Sequence, residues 1–235
     1  MFFLPVFNIN YLIYMLPAIV LSLVIQLYVN ASYARWSKVY NQSGLTGAQV
    51  AQRLADRMGF YDLRLKAVPG LLSDHYDPRN NVLGLSQDVA QGNTVAAMAI
   101  TAHELGHAQQ DQDNYLLMRL RSAMVPAVNI GTTVGWIFIL LGLMLQIGDL
   151  AWLGVFAFSA GALFSIATLP VELNASKRAR KLLQSSGLIT SENEKRGVNQ
   201  VLNAAALTYV AAIATSVLQL LYFASLAGGA GRRRR

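Results

Sequence analysis

The sequence predicts a mainly α membrane protein: three or four transmembrane helices carrying a small α+β region on the cytoplasmic side. Three observations lead there. Hydrophobic residues make up 54% of the 235 and charged residues only 13%, against about 25% charged in an average soluble domain. The apolar excess is gathered into runs long enough to cross a bilayer. Basic residues flank those runs, as they do beside anionic lipid. The net charge of +7 is therefore assigned to the membrane surface. It is not read as a nucleic-acid footprint, because no basic patch is interleaved with aromatics. With no cysteines, disulfides are excluded and any zinc must be held by histidine and carboxylate.

The first apolar run, from about Tyr11 to Val29, is uncharged and is followed by Arg35 and Lys38. It has no basic segment ahead of it, so it reads as an uncleaved anchor over 1–30 with its N-terminus outside. A polar cytoplasmic part follows over 31–121. Thr46 and Gln49 have capping-box spacing, and Val50, Leu54 and Met58 share one helical face. Leu63, Leu65 and Ala67 alternate with Arg64 and Lys66, as in a half-buried strand. Asp77-Pro78-Arg79-Asn80 reads as a turn and Val82 to Leu85 as a second strand, giving a short β-hairpin. From about Asn93 to Asp111 the pattern is helical, with Asn93 or Thr94 as cap.

Two apolar runs, Ala123 to Gln146 and Ala151 to Leu169, are separated by Ile147-Gly148-Asp149-Leu150. They predict a transmembrane hairpin over 122–170. Gly131 and Gly135 have the small-xxx-small spacing of closely packed helices in lipid. Arg119 and Arg121 precede the hairpin, and Lys177, Arg178, Arg180 and Lys181 follow it, so both flanks are expected in the cytoplasm. The remainder, 171–235, holds a helix after the hairpin and a last helix starting at a Ser191/Glu194 capping box. The last helix turns apolar from about Ala204 to Leu226. If it spans, Arg232 to Arg235 lie outside, against the positive-inside rule; a re-entrant helix or one packed along the bundle are the alternatives. The Gly-Gly-Ala-Gly stretch before the arginines reads as flexible. There is no internal repeat, and the four ranges are expected to form one integrated domain.

The chemistry centres on His103-Glu104-Leu105-Gly106-His107. Residues four apart share a helix face, so both imidazoles reach one ion from one side, and zinc accepts such nitrogens in tetrahedral geometry. Glu104 beside them can take a proton from zinc-bound water as it attacks a carbonyl. The bland alternative is two hydrogen-bonded histidines on a buried face. Against it, the chain has only three histidines and two are in the motif. Catalytic zinc usually has three protein ligands. Glu172 is the candidate third, because the hairpin returns the chain to the face it left. Its alternative is a solvated charge paired with Lys177 or Arg178. Ser176, four residues on, could orient a ligand imidazole. His75 reads either as a residue on the rim of the cleft that steadies substrate or an oxyanion, or as an ordinary turn residue. Tyr209 is either an oxyanion donor or a packed aromatic. Arg178 and Arg180 suit a substrate carboxylate or juxtamembrane anchoring equally.

Ala102 through Gln109, Ser73-Asp74-His75-Tyr76-Asp77-Pro78, Pro170-Val171-Glu172 through Ser176, and Ala206-Leu207-Thr208-Tyr209-Val210 together resemble the bacterial zinc metallopeptidases of the YugP type. These are broadly similar to the gluzincin membrane proteases. The resemblance covers nearly the whole chain. It implies a zincin-like catalytic region and zinc peptidase activity in a multi-pass protein of the bacterial cytoplasmic (inner) membrane. One Zn2+ would be held by His103, His107 and Glu172, with Glu104 catalytic. The sequence departs from this pattern in two places. Related chains tend to have an acidic residue where this one has Asn174. Gluzincins of the HtpX type place an aspartate four residues after the ligand glutamate, where this chain has Ser176. Neutral neighbours make a ligand histidine less basic.

The expected activity is therefore metalloendopeptidase cleavage near the cytoplasmic membrane surface. The partners would be the lipid bilayer and a protein or peptide substrate, favouring membrane-associated ones, with no nucleic acid. The rival is a non-catalytic zinc-binding membrane adaptor or regulator, for which His75 is the one histidine left to close the site. A small transporter is disfavoured, because the runs lack intramembrane charge.

Overall fold

In the computed structural model, which describes residues 9–232, the apolar runs form four long helices: α1 (Ile9–Trp36), α5 (Leu116–Met144), α6 (Gly148–Ser185) and α7 (Glu192–Arg232). All four are long and apolar enough to cross a membrane. The first eight residues of the expected anchor range and residues 233–235 of the arginine tail lie outside the described residues. The hairpin turn falls at residues 145–147, slightly earlier than expected, and α7 is one continuous helix through Gly228 and Gly229. That continuity replaces the flexible glycine stretch expected there, and α7 has no break of the kind a re-entrant segment needs.

The chain divides into two compact units. The first comprises Met1–Ile25, Leu120–Leu169 and Thr208–Arg235; the second comprises Gln26–Arg119 and Pro170–Leu207. In the first unit, Ile139, Ala151, Val155, Tyr222, Phe223 and Ala227 form a buried cluster with Trp136 and Phe158 against it. The expected close packing of small residues is present: a Cβ on Gly135 would lie 2.6 Å from the Phe158 backbone nitrogen and 2.8 Å from the Gly154 carbonyl. Only glycine lets two helix backbones approach that closely. Ile130, Leu153, Phe156 and Leu163 of this unit stay exposed.

The second unit holds α2 (Gly47–Met58), β1 (Arg64–Val68), β2 (His75–Asp77), β3 (Val82–Ser86), α3 (Gln87–Gln91) and α4 (Val95–Gln112). Both capping boxes form. Thr46 Oγ1 accepts from Gln49 N, and Gln49 Oε1 accepts from Thr46 N. Ser191 and Glu194 exchange the same pair of bonds at the start of α7. α4 begins one residue after its cap, Thr94, which accepts from Ala97 N. The core gathers Trp36, Leu54, Leu83, Met98, Leu105, Leu183, Leu188 and Leu202, all fully buried.

The sheet differs from the expected two-stranded hairpin. Its order is β1-β3-β2. The two strands expected from the pattern, β1 and β3, pair in parallel. The antiparallel hairpin is instead β2 with β3 across the Asp77–Asn80 turn, with Tyr76 opposite Leu83. β1 is an edge strand, and Leu65 and Ala67 are exposed, not half-buried. Alternation therefore located the strand without identifying a buried face.

Candidate metal centre

α4 carries His103 and His107 one turn apart, their rings edge-to-face with centroids 4.9 Å apart. α6 crosses this turn at its closest point. A Cβ on Gly106 would sit 2.4 Å from the Ala175 carbonyl oxygen, so the glycine inside the motif is what lets the α6 backbone lie against α4. That approach brings in Glu172, one turn before Ser176. Glu172 Oε2 lies 3.2 Å from His103 Nε2 and 3.4 Å from His107 Nε2. The three ligand atoms all fall within 4.8 Å of one another.

This spacing can be tested against the ion. Tetrahedral zinc with ligand bonds near 2.0–2.1 Å separates its ligand atoms by about 3.3 Å. The two nitrogen-to-oxygen distances match that separation, and the donor set of two imidazoles and a carboxylate suits zinc chemistry. The residues present fit the metal.

The remaining ring nitrogens are occupied. Ser176 Oγ is 3.2 Å from His103 Nδ1, so the hydroxyl expected to orient an imidazole stands beside one. His107 Nδ1 is 3.0 Å from Gln110 Oε1. Glu172, Ser176 and His107 are all buried. Glu104 points to β2, where its Oε2 accepts the Tyr76 backbone N–H at 3.0 Å. Tyr76 is tied to α4 again by its hydroxyl, which donates to Asp111 Oδ2 at 3.0 Å. The hairpin strand is thus fixed to the motif helix two turns apart.

Electrostatics follow from this crowding. Burial pushes the Glu104 carboxyl up, and the two imidazoles only partly offset that. Burial pulls His107 down, but its bond to Glu172 and the Glu104 charge outweigh it and the net direction is up. Glu172 lies beyond the apolar run that ends at Leu169. Burial raises it, yet its bonds to His103 and His107 win and hold it below the usual carboxylate range.

His75 is an exposed residue at the start of β2, not a turn residue, with Nδ1 2.9 Å from the Ser73 carbonyl. Among the described residues the group that could hold a metal ion contains His103, His107 and Glu172, without His75. Tyr209 is half-buried in α7 within the first unit, whereas the cluster above lies in the second. Arg178 is committed to Asp113 and to Asn174 Oδ1, and Arg180 to Asn199 and Asn203. Three contributors carried no sequence signal of their own: Gln110, Asn174 as a partner of Gln110, and the Tyr76 amide. A backbone donor has no side-chain signature, and a polar residue on α4 reads as surface.

The motif helix bearing His103-Glu104-x-x-His107, with Glu172 from a second helix completing the group, brings together three side chains that could hold a metal ion. The chain belongs to the family described as "Putative neutral zinc metallopeptidase", which matches residues 11–228. It is also similar to the "Putative membrane protease YugP" of Bacillus subtilis (strain 168), with 43% identity over 208 residues, covering 88% of this chain and 92% of that protein. No solved structure matches the chain.

Proposed function

We propose that the protein is a zinc-dependent endopeptidase of the bacterial cytoplasmic membrane, cleaving peptide bonds of membrane-associated substrates near the cytoplasmic surface. The observation that carries this reading is the convergence of His103 Nε2, His107 Nε2 and Glu172 Oε2, with Glu104 between the two histidines in sequence. Three protein ligands leave a fourth position for substrate or water, as catalytic zinc requires. His103, His107 and Glu172 would hold the zinc, which when bound would supply polarisation of the scissile carbonyl and a more acidic attacking water. Glu104 takes the proton from that water at its carboxylate and delivers it to the leaving amine. The Tyr76 amide orients the carboxylate for both transfers.

The cytoplasmic surface location rests on chain positions. Glu172 follows the apolar run of α6 by three residues, and Arg119, Arg121, Lys177, Arg178, Arg180 and Lys181 flank the hairpin, whose tip carries Asp149. That asymmetry favours a cytoplasmic site.

The test is Glu104→Gln in detergent-purified protein against a quenched-fluorescence peptide library. Hydrolysis should fall by roughly 10²–10⁴, the contribution of a positioned proton carrier, while zinc content stays at the wild-type level. A Glu104→Gln protein that still cleaves at the wild-type rate would remove Glu104 from the mechanism.

A further inference from the structure

Gln110 is fully buried one turn beyond the motif, and its side chain makes three hydrogen bonds. Oε1 faces His107 Nδ1 at 3.0 Å. Nε2 faces the Val171 carbonyl oxygen at 2.8 Å and Asn174 Oδ1 at 2.9 Å. Oxygen and nitrogen of an amide are easily exchanged in placement, but here the partners decide. The Val171 oxygen has only lone pairs, so the Gln110 atom facing it must be the nitrogen. The second partner agrees independently. Arg178 Nε, which has only a proton to give, lies 2.8 Å from Asn174 Oδ1, so the Asn174 atom facing Gln110 is an acceptor and again demands nitrogen. Both N–H groups of Gln110 are thereby used, and its oxygen is left for His107.

The consequence reaches the ring. An oxygen that can only accept fixes the proton of neutral His107 on Nδ1, which leaves Nε2, on the Glu172 side of the ring, as the nitrogen that would face an ion. We infer that Gln110 is a positioning residue for the metal centre: held by Val171 and by the Asn174–Arg178 pair, it locks His107 in the tautomer and orientation that offer Nε2 to the ion. The inference rests on the zinc reading above. It also gives Asn174 a role as an acceptor shared by two donors on its far side, not as a contact to a ligand ring. Bonds aligned in this way polarise one another, so the Arg178 end is part of the same device.

The experiment uses the full chain in detergent. Nitrogen NMR of 15N-histidine-labelled, zinc-free protein, at a pH where the ring is neutral, reads the tautomer. Chelator competition reads zinc affinity. Wild type should show His107 protonated at Nδ1. Gln110→Leu should lose that preference and bind zinc about 10–100-fold more weakly, the usual effect of removing a ligand's supporting partner. Asn174→Asp keeps an acceptor for both donors and should keep the tautomer and the affinity. Asn174→Leu, at a half-buried position, should weaken zinc less than Gln110→Leu does, and it decides the matter if Gln110→Leu does not fold. Unchanged tautomer and affinity in the leucine variants, or a wild-type ring protonated at Nε2, would overturn the inference and leave the peptidase reading standing. A wild type with the Nδ1–H tautomer that takes up no zinc would instead sink the peptidase reading.

Discussion

The two units of this chain solve the same packing problem in different ways. Of the twelve acidic residues, Asp149 alone falls in the first unit; the other eleven are in the second. The first unit brings helices together by removing side chains, at Gly135 and the facing Gly154, and leaves large apolar residues outside. The second buries a leucine-rich core and uses buried polar groups in quantity, including Glu172, Ser176, Gln110 and Glu194. On the membrane reading proposed above, the first unit lies in lipid, which gives no reward for hiding leucine, so close backbone contact does the work there. Water does give that reward, and the surplus stability can hold a polar cluster. The candidate metal centre sits where such a cluster can be supported.

The comparison breaks if equal exposure has equal consequences in both units. Phe156 is 78% exposed in the first and Tyr61 81% exposed in the second. Phe156→Asp should cost about 3 kcal/mol, because a charge would face hydrocarbon, whereas Tyr61→Asp should stay within about 0.5 kcal/mol. Equilibrium unfolding in lipid bicelles measures both, and similar costs would mean the first unit is not lipid-facing.

A smaller effect tests the helix contact behind the metal centre. Gly106→Ala forces apart the α4 and α6 backbones and should cost about 1–3 kcal/mol, with zinc affinity falling as Glu172 is displaced. Thermal shift with and without added zinc separates the two losses. Zinc stabilisation equal to wild type would show that the approach at Ala175 does not set the site.

The smallest effect is pH-dependent. Glu194 is buried and accepts backbone N–H bonds from Gln42, Thr190 and Ser191. Burial raises its carboxyl, but those bonds outweigh burial and leave it lowered. A lowered folded value means the stabilisation is present above the ordinary carboxylate range and disappears as pH falls through the lowered value. Glu194→Gln should therefore cost about 1–2 kcal/mol at neutral pH, with the gap to wild type closing in acid. A gap that is constant with pH would deny the carboxylate this role.

Much of this was legible in sequence because its signals are local. Both capping boxes, the four long helices, the His103/His107 pair and the positions of Glu172 and Ser176 follow from spacing along single helices. The misses are non-local. β2 is three residues long, too short for alternation to register, so His75 looked like part of a turn. The parallel pairing of β1 with β3 depends on a strand inserted between them in sequence, and nothing in either strand names its partner. α3, a helix of five residues, has too few turns for periodicity. Gln110 was invisible because its burial comes from α6, brought close by Gly106, and not from its own helix.

The most direct test of the account is zinc content, by elemental analysis of detergent-purified protein, for wild type beside His103→Ala and Glu172→Ala. The account predicts near-stoichiometric zinc in wild type, none in His103→Ala and a marked fall in Glu172→Ala. A wild type without metal even after zinc is supplied, or a Glu172→Ala protein that keeps its full complement, would contradict it.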